Sequence, residues 1–309
     1  MKKVWLMFMV TVLGAVMIAC TTESPANDSG DESDGQGGDG EFTIGFSIST
    51  LNNPFFVTLQ EGAETKADDL GVNLVTVDAQ DDDAKQVNDV EDLIQQGVDV
   101  ILINPTDSSS VISAVESANA ADIPVITVDR GADGGEAVTH IASDNVAGGE
   151  MAAELLVELV GEDADVAELE GIPGSSAARE RGEGFTNIAS DSLTVVTSQT
   201  ANFSRSEGLT VMENILQSNP DIQGVFAHND EMALGALEAL EGAGAEDVVV
   251  VGFDATDDAV SSVEAGRLAG TVAQQPTLIG EEALDAAFSV LNGEDVEDFI
   301  PVELELVTE

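Results

Sequence analysis

VDVILINPTD (98–107) and IPVITVDR (123–130) decide the fold. The run VILI is short, apolar and unbroken, the pattern of a strand buried on both faces of a parallel sheet. About one helix separates the two segments, and they end on Asn104 and Asp129, 25 positions apart. The arrangement recurs in QGVFAHNDE (223–231) and VVVVGFDA (248–255), which place Asn229 and Asp254 at strand ends, again 25 positions apart. Each half thus presents an amide and a carboxylate at the carboxyl edge of a parallel sheet, where open α/β folds bind ligands. Facing halves would converge four hydrogen-bonding side chains on one cleft.

Working outward, further strands are expected at 42–48, 72–77, 164–171, 193–198 and 269–274, with a late run FIPVELELV at 299–307. Between them lie helical spacings such as Phe56, Leu59, Ala63, Ala67 and Leu70. Two successive series of βαβ units imply an α/β chain of two doubly wound parallel-sheet domains. The late strands leave room for the chain to cross back between them.

The ends and the charge bound the rest. MKKVWLMFMVTVLGAVMIAC (1–20) has the form of a secretory signal peptide, with Cys20 at its polar boundary as a lipidation site. Cys20 is the sole cysteine, so no disulfide is possible. Residues 21–41, rich in Ser, Asp, Gly and Glu, read as a disordered acidic tether. With 60 acidic and 9 basic residues the net charge is −51, which repels nucleic acid and anionic membranes. A folded chain with an acidic surface fits a very salty milieu, and melting across a salt series tests that expectation.

Catalytic chemistry finds little footing. There is no G-x-S-x-G elbow and no phosphate-binding loop, and GIPGSS (171–176) lacks dinucleotide spacing. DAQDDDAKQ (78–86) reads as a solvated helix start rather than a metal site, and His228 as a hydrogen-bonded structural histidine. Neither metal nor cofactor is expected. A neutral polyol fits better, because Asn, Asp and Arg supply complementary donors and acceptors while aromatic rings cover its C–H faces. Aromatics are only 4% of the chain and Tyr is absent, yet STLNNPFF (49–56) sets Phe55 beside Phe56, and Phe203 and Phe253 also follow strands. Arg130 directly follows Asp129 and reads as a cleft residue. Between Arg179 and Arg181, in SSAARERGEGF (175–185), the residues alone do not choose.

STLNNPFF, INPTDS, ITVDR, HIASDN, GSSAARERGEGF, HNDEMALGALEAL, VVGFDAT and TVAQQP together resemble the periplasmic ribose-binding proteins of bacterial ABC importers, in order from residue 42 onward. Related receptors take galactose, allose, xylose or autoinducer-2. The resemblance implies a type I, Venus-flytrap fold: domains of 42–143 with 275–303 and of 144–274 with 304–309, joined by a three-stranded hinge. Crossings would fall near Ser143–Asp144, Gln274–Gln275 and Glu303–Leu304. It implies a ribose pocket of Ser49, Asn53, Phe55, Phe56, Asn104, Asp129, Arg130, Arg181, Phe203, Asn229, Phe253, Asp254 and Gln274, and so favours Arg181 over Arg179. Phe55 and Phe56 would cover one face of the sugar and Phe203 the other. Expected partners are D-ribose or a similar monosaccharide and permease subunits with a separate ATPase; whether a chemoreceptor is a further partner, the sequence does not decide. The chain would be monomeric, extracytoplasmic and held to the membrane only by its lipid. It departs from the family in its acidic surface, its long tether, and His228 where glutamine is expected.

Overall fold

The structure, a computed structural model, describes residues 42–309. The signal peptide, Cys20 and the tether lie outside the described residues. In chain order the elements are β1 (Thr43–Ile48), α1 (Pro54–Leu70), β2 (Asn73–Asp78), α2 (Asp83–Gln96), β3 (Val100–Ile103), α3 (Ile112–Ala120), β4 (Val125–Val128) and β5 (Thr139–Ser143). There follow α4 (Asn145–Val160), β6 (Asp165–Glu170), α5 (Ser176–Ser192), β7 (Thr194–Thr200), α6 (Arg205–Ser218), β8 (Gly224–Ala227) and α7 (Asp230–Ala243). The last are β9 (Val249–Asp254), α8 (Asp257–Glu264), β10 (Gly270–Ala273), α9 (Pro276–Leu291), β11 (Phe299–Val302) and β12 (Glu305–Val307).

Local chemistry sets these boundaries. The Asn53 side chain caps α1 and Pro54 supplies its first turn, while Gly71 closes it at φ 68°, a left-handed conformation that glycine adopts without a Cβ penalty. Asp82 caps α2, so the acidic run 81–83 is a helix start, as its composition implied. β3 and β4 are buried along their whole length.

The strands form two sheets, ordered β11-β5-β4-β3-β1-β2 and β12-β10-β9-β8-β6-β7. Within each, the order 2-1-3-4-5 is that of a doubly wound fold, with its ligand crevice at the carboxyl ends of the strands. Apolar clusters cover both faces of both sheets. The first lobe carries α1, α2, α3 and α9, and the second carries α4 to α8. The chain therefore passes between lobes after β5, after β10 and after β11.

Two details differ from the sequence reading. THIAS (139–143) forms β5, which was not expected; with His, Thr and Ser among five residues it lacks a strong apolar pattern. The run 299–307 is two strands, one in each sheet. Phe299 of β11 lies opposite His140 in a parallel pair, whereas Val307 of β12 lies opposite Thr271 in an antiparallel one. The second sheet thus ends in an antiparallel edge strand.

Candidate ligand-binding site

In the first lobe, the loop after β1 delivers Asn53, Phe55 and Phe56. Oδ1 of Asn53 accepts the Phe55 N–H (3.0 Å), so the cap consumes the acceptor and leaves the amide N–H groups for the cleft. The two phenylalanine rings meet edge to face, 5.2 Å apart at 83°. They offer one flat face and one edge rather than two parallel plates. Behind them, Asn104 Oδ1 accepts from Ser49 Oγ (2.6 Å), and Asn104 Nδ2 donates to the Val128 carbonyl (3.0 Å) and weakly to Asp129 Oδ2 (3.4 Å). Ser49 and Asn104 thus hold the end of β4, where Asp129 adopts φ 64° and sets its Oδ2 3.8 Å from Arg130 Nε, within the field of the second lobe's Arg181.

In the second lobe, Arg181 is fixed on several sides. Its Nε donates to Asn145 Oδ1 (2.9 Å), its Nη1 donates to the His228 carbonyl (2.6 Å) and lies 3.5 Å from Asp254 Oδ1, and its guanidinium sits 3.9 Å from the centroid of Phe253. Gln274 Nε2 donates to the same Asp254 oxygen (2.9 Å). Asn229 caps α7 through Oδ1, as Asn53 caps α1, and donates through Nδ2 to the Phe203 carbonyl (3.3 Å). Phe203 (φ 58°) lies over Gly171, where any Cβ would collide with its ring. The two lobes meet at Arg130, whose guanidinium lies 4.9 Å from the Phe56 centroid and 5.1 Å from that of Phe203, within cation–π range of both.

Asn53, Phe55, Phe56, Asp129, Arg130, Arg181, Phe203, Asn229, Asp254 and Gln274 line one tightly closed pocket between the lobes, joined by Ala177. Ser49, Asn104 and Phe253 lie one layer behind: the first two support Asp129 and the third supports Arg181. Asp129 Oδ1, Arg130 Nε and Gln274 Oε1 are buried with no hydrogen-bond partner in the protein. A buried unsatisfied polar group costs roughly 1–3 kcal/mol, so three of them in one cavity mark a place for a polar ligand.

Charge defines that ligand further. The described residues carry seven Lys or Arg, the nine of the chain less Lys2 and Lys3, and two of the seven are buried here. Two carboxylates and two guanidiniums balance formally, so the site as a whole suits an uncharged molecule. Burial pushes Asp254 up to about 7 against the opposing pull of Arg181 and Gln274. Burial likewise raises Asp129, opposed by Arg130 and Arg181, and lowers Arg130. Among the described residues no cluster of His, Cys, Asp or Glu could hold a metal, and no helix is long and apolar enough to cross a membrane.

A family model described as periplasmic binding protein domain matches residues 44–295. The chain belongs to the periplasmic binding protein family. It is 55% identical over 298 residues to the ribose import binding protein of Bacillus subtilis (strain 168), covering 95% of each chain. It is 54% identical over 266 residues to that of Escherichia coli (strain K12), covering 86% of this chain and 90% of the relative. The crystal structure of an ABC transporter solute binding protein from Bacillus halodurans C-125 with bound myo-inositol superposes with a TM-score of 0.84 at 38% identity, covering 88% and 96% of the two chains. This periplasmic binding protein is therefore a substrate-binding protein and not an enzyme.

Sequence reasoning missed two residues of the site. Ala177 carries no chemistry to flag it, and only its place in the first turn of α5 brings it to the cavity. Asn145 is buried directly after the first passage between lobes. It accepts from Arg181 while its amide donates weakly to the Ser143 carbonyl (3.4 Å) and Glu180 Oε2 (3.3 Å). Its position in HIASDN at a helix start was the available signal. His228 is buried with Nε2 3.0 Å from Glu168 Oε1, and its Nδ1 accepts the Gly171 N–H (3.3 Å), a structural histidine behind the pocket. Arg179 lies outside the cavity.

Proposed function

We propose that this protein captures D-ribose outside the cytoplasm and hands it to an ABC importer whose permease and ATPase are separate chains. The observation that carries the reading is the pocket: Asp129, Arg130, Arg181 and Asp254, from both lobes, converge on one point where buried polar atoms stay unsatisfied. The names of the relatives at 54–55% identity support ribose as the sugar. The proposed domains are 42–143 with 275–303 and 144–274 with 304–309, closing about their three connections. A sugar's hydroxyls meet groups of both walls only when the walls are together, so binding favours the closed form. Charge-assisted hydrogen bonds of ~1.5–3 kcal/mol each, several at once, can offset the cost of ordering and leave sub-micromolar affinity.

Calorimetry in high salt with ribose, allose, galactose, xylose and arabinose tests this, with ribose expected to bind tightest by at least tenfold. A sugar that bound far tighter than ribose would overturn the assignment. A different polyol is the second reading, favoured by the fold's similarity to a solved myo-inositol complex; such a ligand must still pair Asp254 and Arg181, since an unmatched buried charge is costly. The same proposal includes a lipid anchor on Cys20 and a surface adapted to salt. Cys20→Ser should move the protein from the membrane to the soluble fraction, and its melting temperature should rise across a salt series. Full stability in dilute buffer would remove the salt adaptation.

A further inference from the structure

Arg179 has no part in the cavity, yet among the described residues it makes the one ion pair between the lobes. Its Nη2 donates to Asp133 Oδ1 (2.8 Å) and its Nη1 to the Gly174 carbonyl (2.8 Å). That carbonyl also accepts the Ser108 N–H (3.0 Å) from the first lobe. Ser108 Oγ in turn accepts the Ser176 N–H (3.1 Å), and Ser176 Oγ accepts the Gly131 N–H (2.9 Å). Asp133 is oriented by Ser109 Oγ on its other oxygen (2.7 Å). Four hydrogen bonds thus cross between the lobes, none from a residue that lines the cavity. The Asp107 side chain packs so closely on Gly174 that a Cβ there would overlap its carboxylate. That carboxylate cannot simply swing away, because Oδ1 accepts the Ser109 and Ser110 N–H groups (2.9 and 2.7 Å).

We infer that Asp133, Arg179, Ser108, Ser176 and Gly174 form a latch that sets how long the ligand stays bound, without touching it. The inference rests on the reading of the cleft as one that closes over a sugar. These bonds exist only when the lobes meet, so they form after encounter and break before release. Their loss therefore speeds dissociation and leaves association nearly unchanged. The members differ in strength. Arg179 and Asp133 side chains are 45% and 40% exposed, so their ion pair is modest and screened by salt. Ser176 and Ser108 are buried, and removing either hydroxyl leaves a shielded N–H without its acceptor.

The test is the release rate of radiolabelled ribose after dilution into excess unlabelled ribose, on the full chain. Arg179→Gln and Asp133→Asn should each speed release about threefold in low salt, an effect that shrinks in high salt. The reversed pair, Asp133→Arg with Arg179→Asp, should recover most of the loss. Ser176→Ala should speed release about tenfold at any salt, and Gly174→Ala by more, because it holds the lobes apart. Wild-type release rates in both Arg179→Gln and Ser176→Ala would overturn the latch, as would single and reversed variants whose effects simply add. If wild type binds no ribose, the sugar reading fails instead, and the comparison moves to small-angle scattering of the unliganded protein. There a more open Gly174→Ala supports the latch, and profiles identical to wild type overturn it.

Discussion

Arg181→Ala weakens sugar binding by roughly 30- to 4,000-fold, the loss expected when one partner of a buried charge pair is truncated (about 2–5 kcal/mol). The magnitude follows from how the guanidinium is held. Asn145, the His228 carbonyl and the Phe253 ring position it before any ligand arrives, so little of its binding energy is spent on ordering. Removing it also withdraws a counter-charge from Asp129 and Asp254, both buried at 3% and 5% exposure. Asp254, already raised to about 7 with Arg181 present, moves higher still, and its neutral form is a poorer acceptor for a hydroxyl. The residual binding of the variant should therefore improve as pH rises, over a range above that of wild type. Arg181→Lys keeps the charge but not the planar fork, and should fall between the two. Calorimetry across pH, with a melting curve to show that the variants are folded, checks the expectation. Undiminished affinity in Arg181→Ala would remove this residue from the site.

Much of this arrangement was legible because parallel strands announce their carboxyl ends. Asn104, Asp129, Asn229 and Asp254 stand one or two positions from the end of an apolar run or at its last residue, and the 25-residue interval repeats the same αβ unit in both lobes. A sequence does not reveal depth behind that edge. Asn104 and Asn229 look alike in pattern, yet Asn104 spends its amide on Ser49 and the Val128 carbonyl, while Asn229 lines the cavity. Phe253 looks like a stacking wall but lies beneath Arg181. The run 299–307 has one continuous strand-like character; only the positions of His140 and Thr271 in the folded chain decide that its halves join different sheets. Arg179 and Arg181 are separated by pure geometry, since two residues along α5 turn one side chain into the cleft and the other onto Asp133.

Asp254→Asn is expected to make the unliganded protein more stable at neutral pH while costing it roughly 100-fold or more in affinity. Burial raises this carboxyl from 3.8 to about 7, so between about pH 4 and pH 7 the folded protein holds a proton that the unfolded chain has released. Stability then falls as pH rises through that window and levels off above it. Asparagine fills the same space and can still accept from Gln274 Nε2, but carries no charge to desolvate. The pH slope should diminish rather than vanish, because Asp230, buried against Thr256 and Thr271, is also held well above its ordinary value. Part of that rise comes from the Asp254 charge, which the substitution removes. Binding moves the other way. An ionised carboxylate can accept two sugar hydroxyls, and an amide oxygen accepts fewer and more weakly. Wild-type affinity should therefore increase with pH up to about 7 and level off above it, with protons released on binding over the rising part. Melting curves from pH 4 to 9, and calorimetry in buffers of different ionisation enthalpy, measure the two effects separately. A variant with the wild-type stability profile would show that Asp254 is not the titrating group. The site would then owe its pH dependence to Asp129, whose carboxylate burial also raises and whose Oδ1 is left without a partner in the protein.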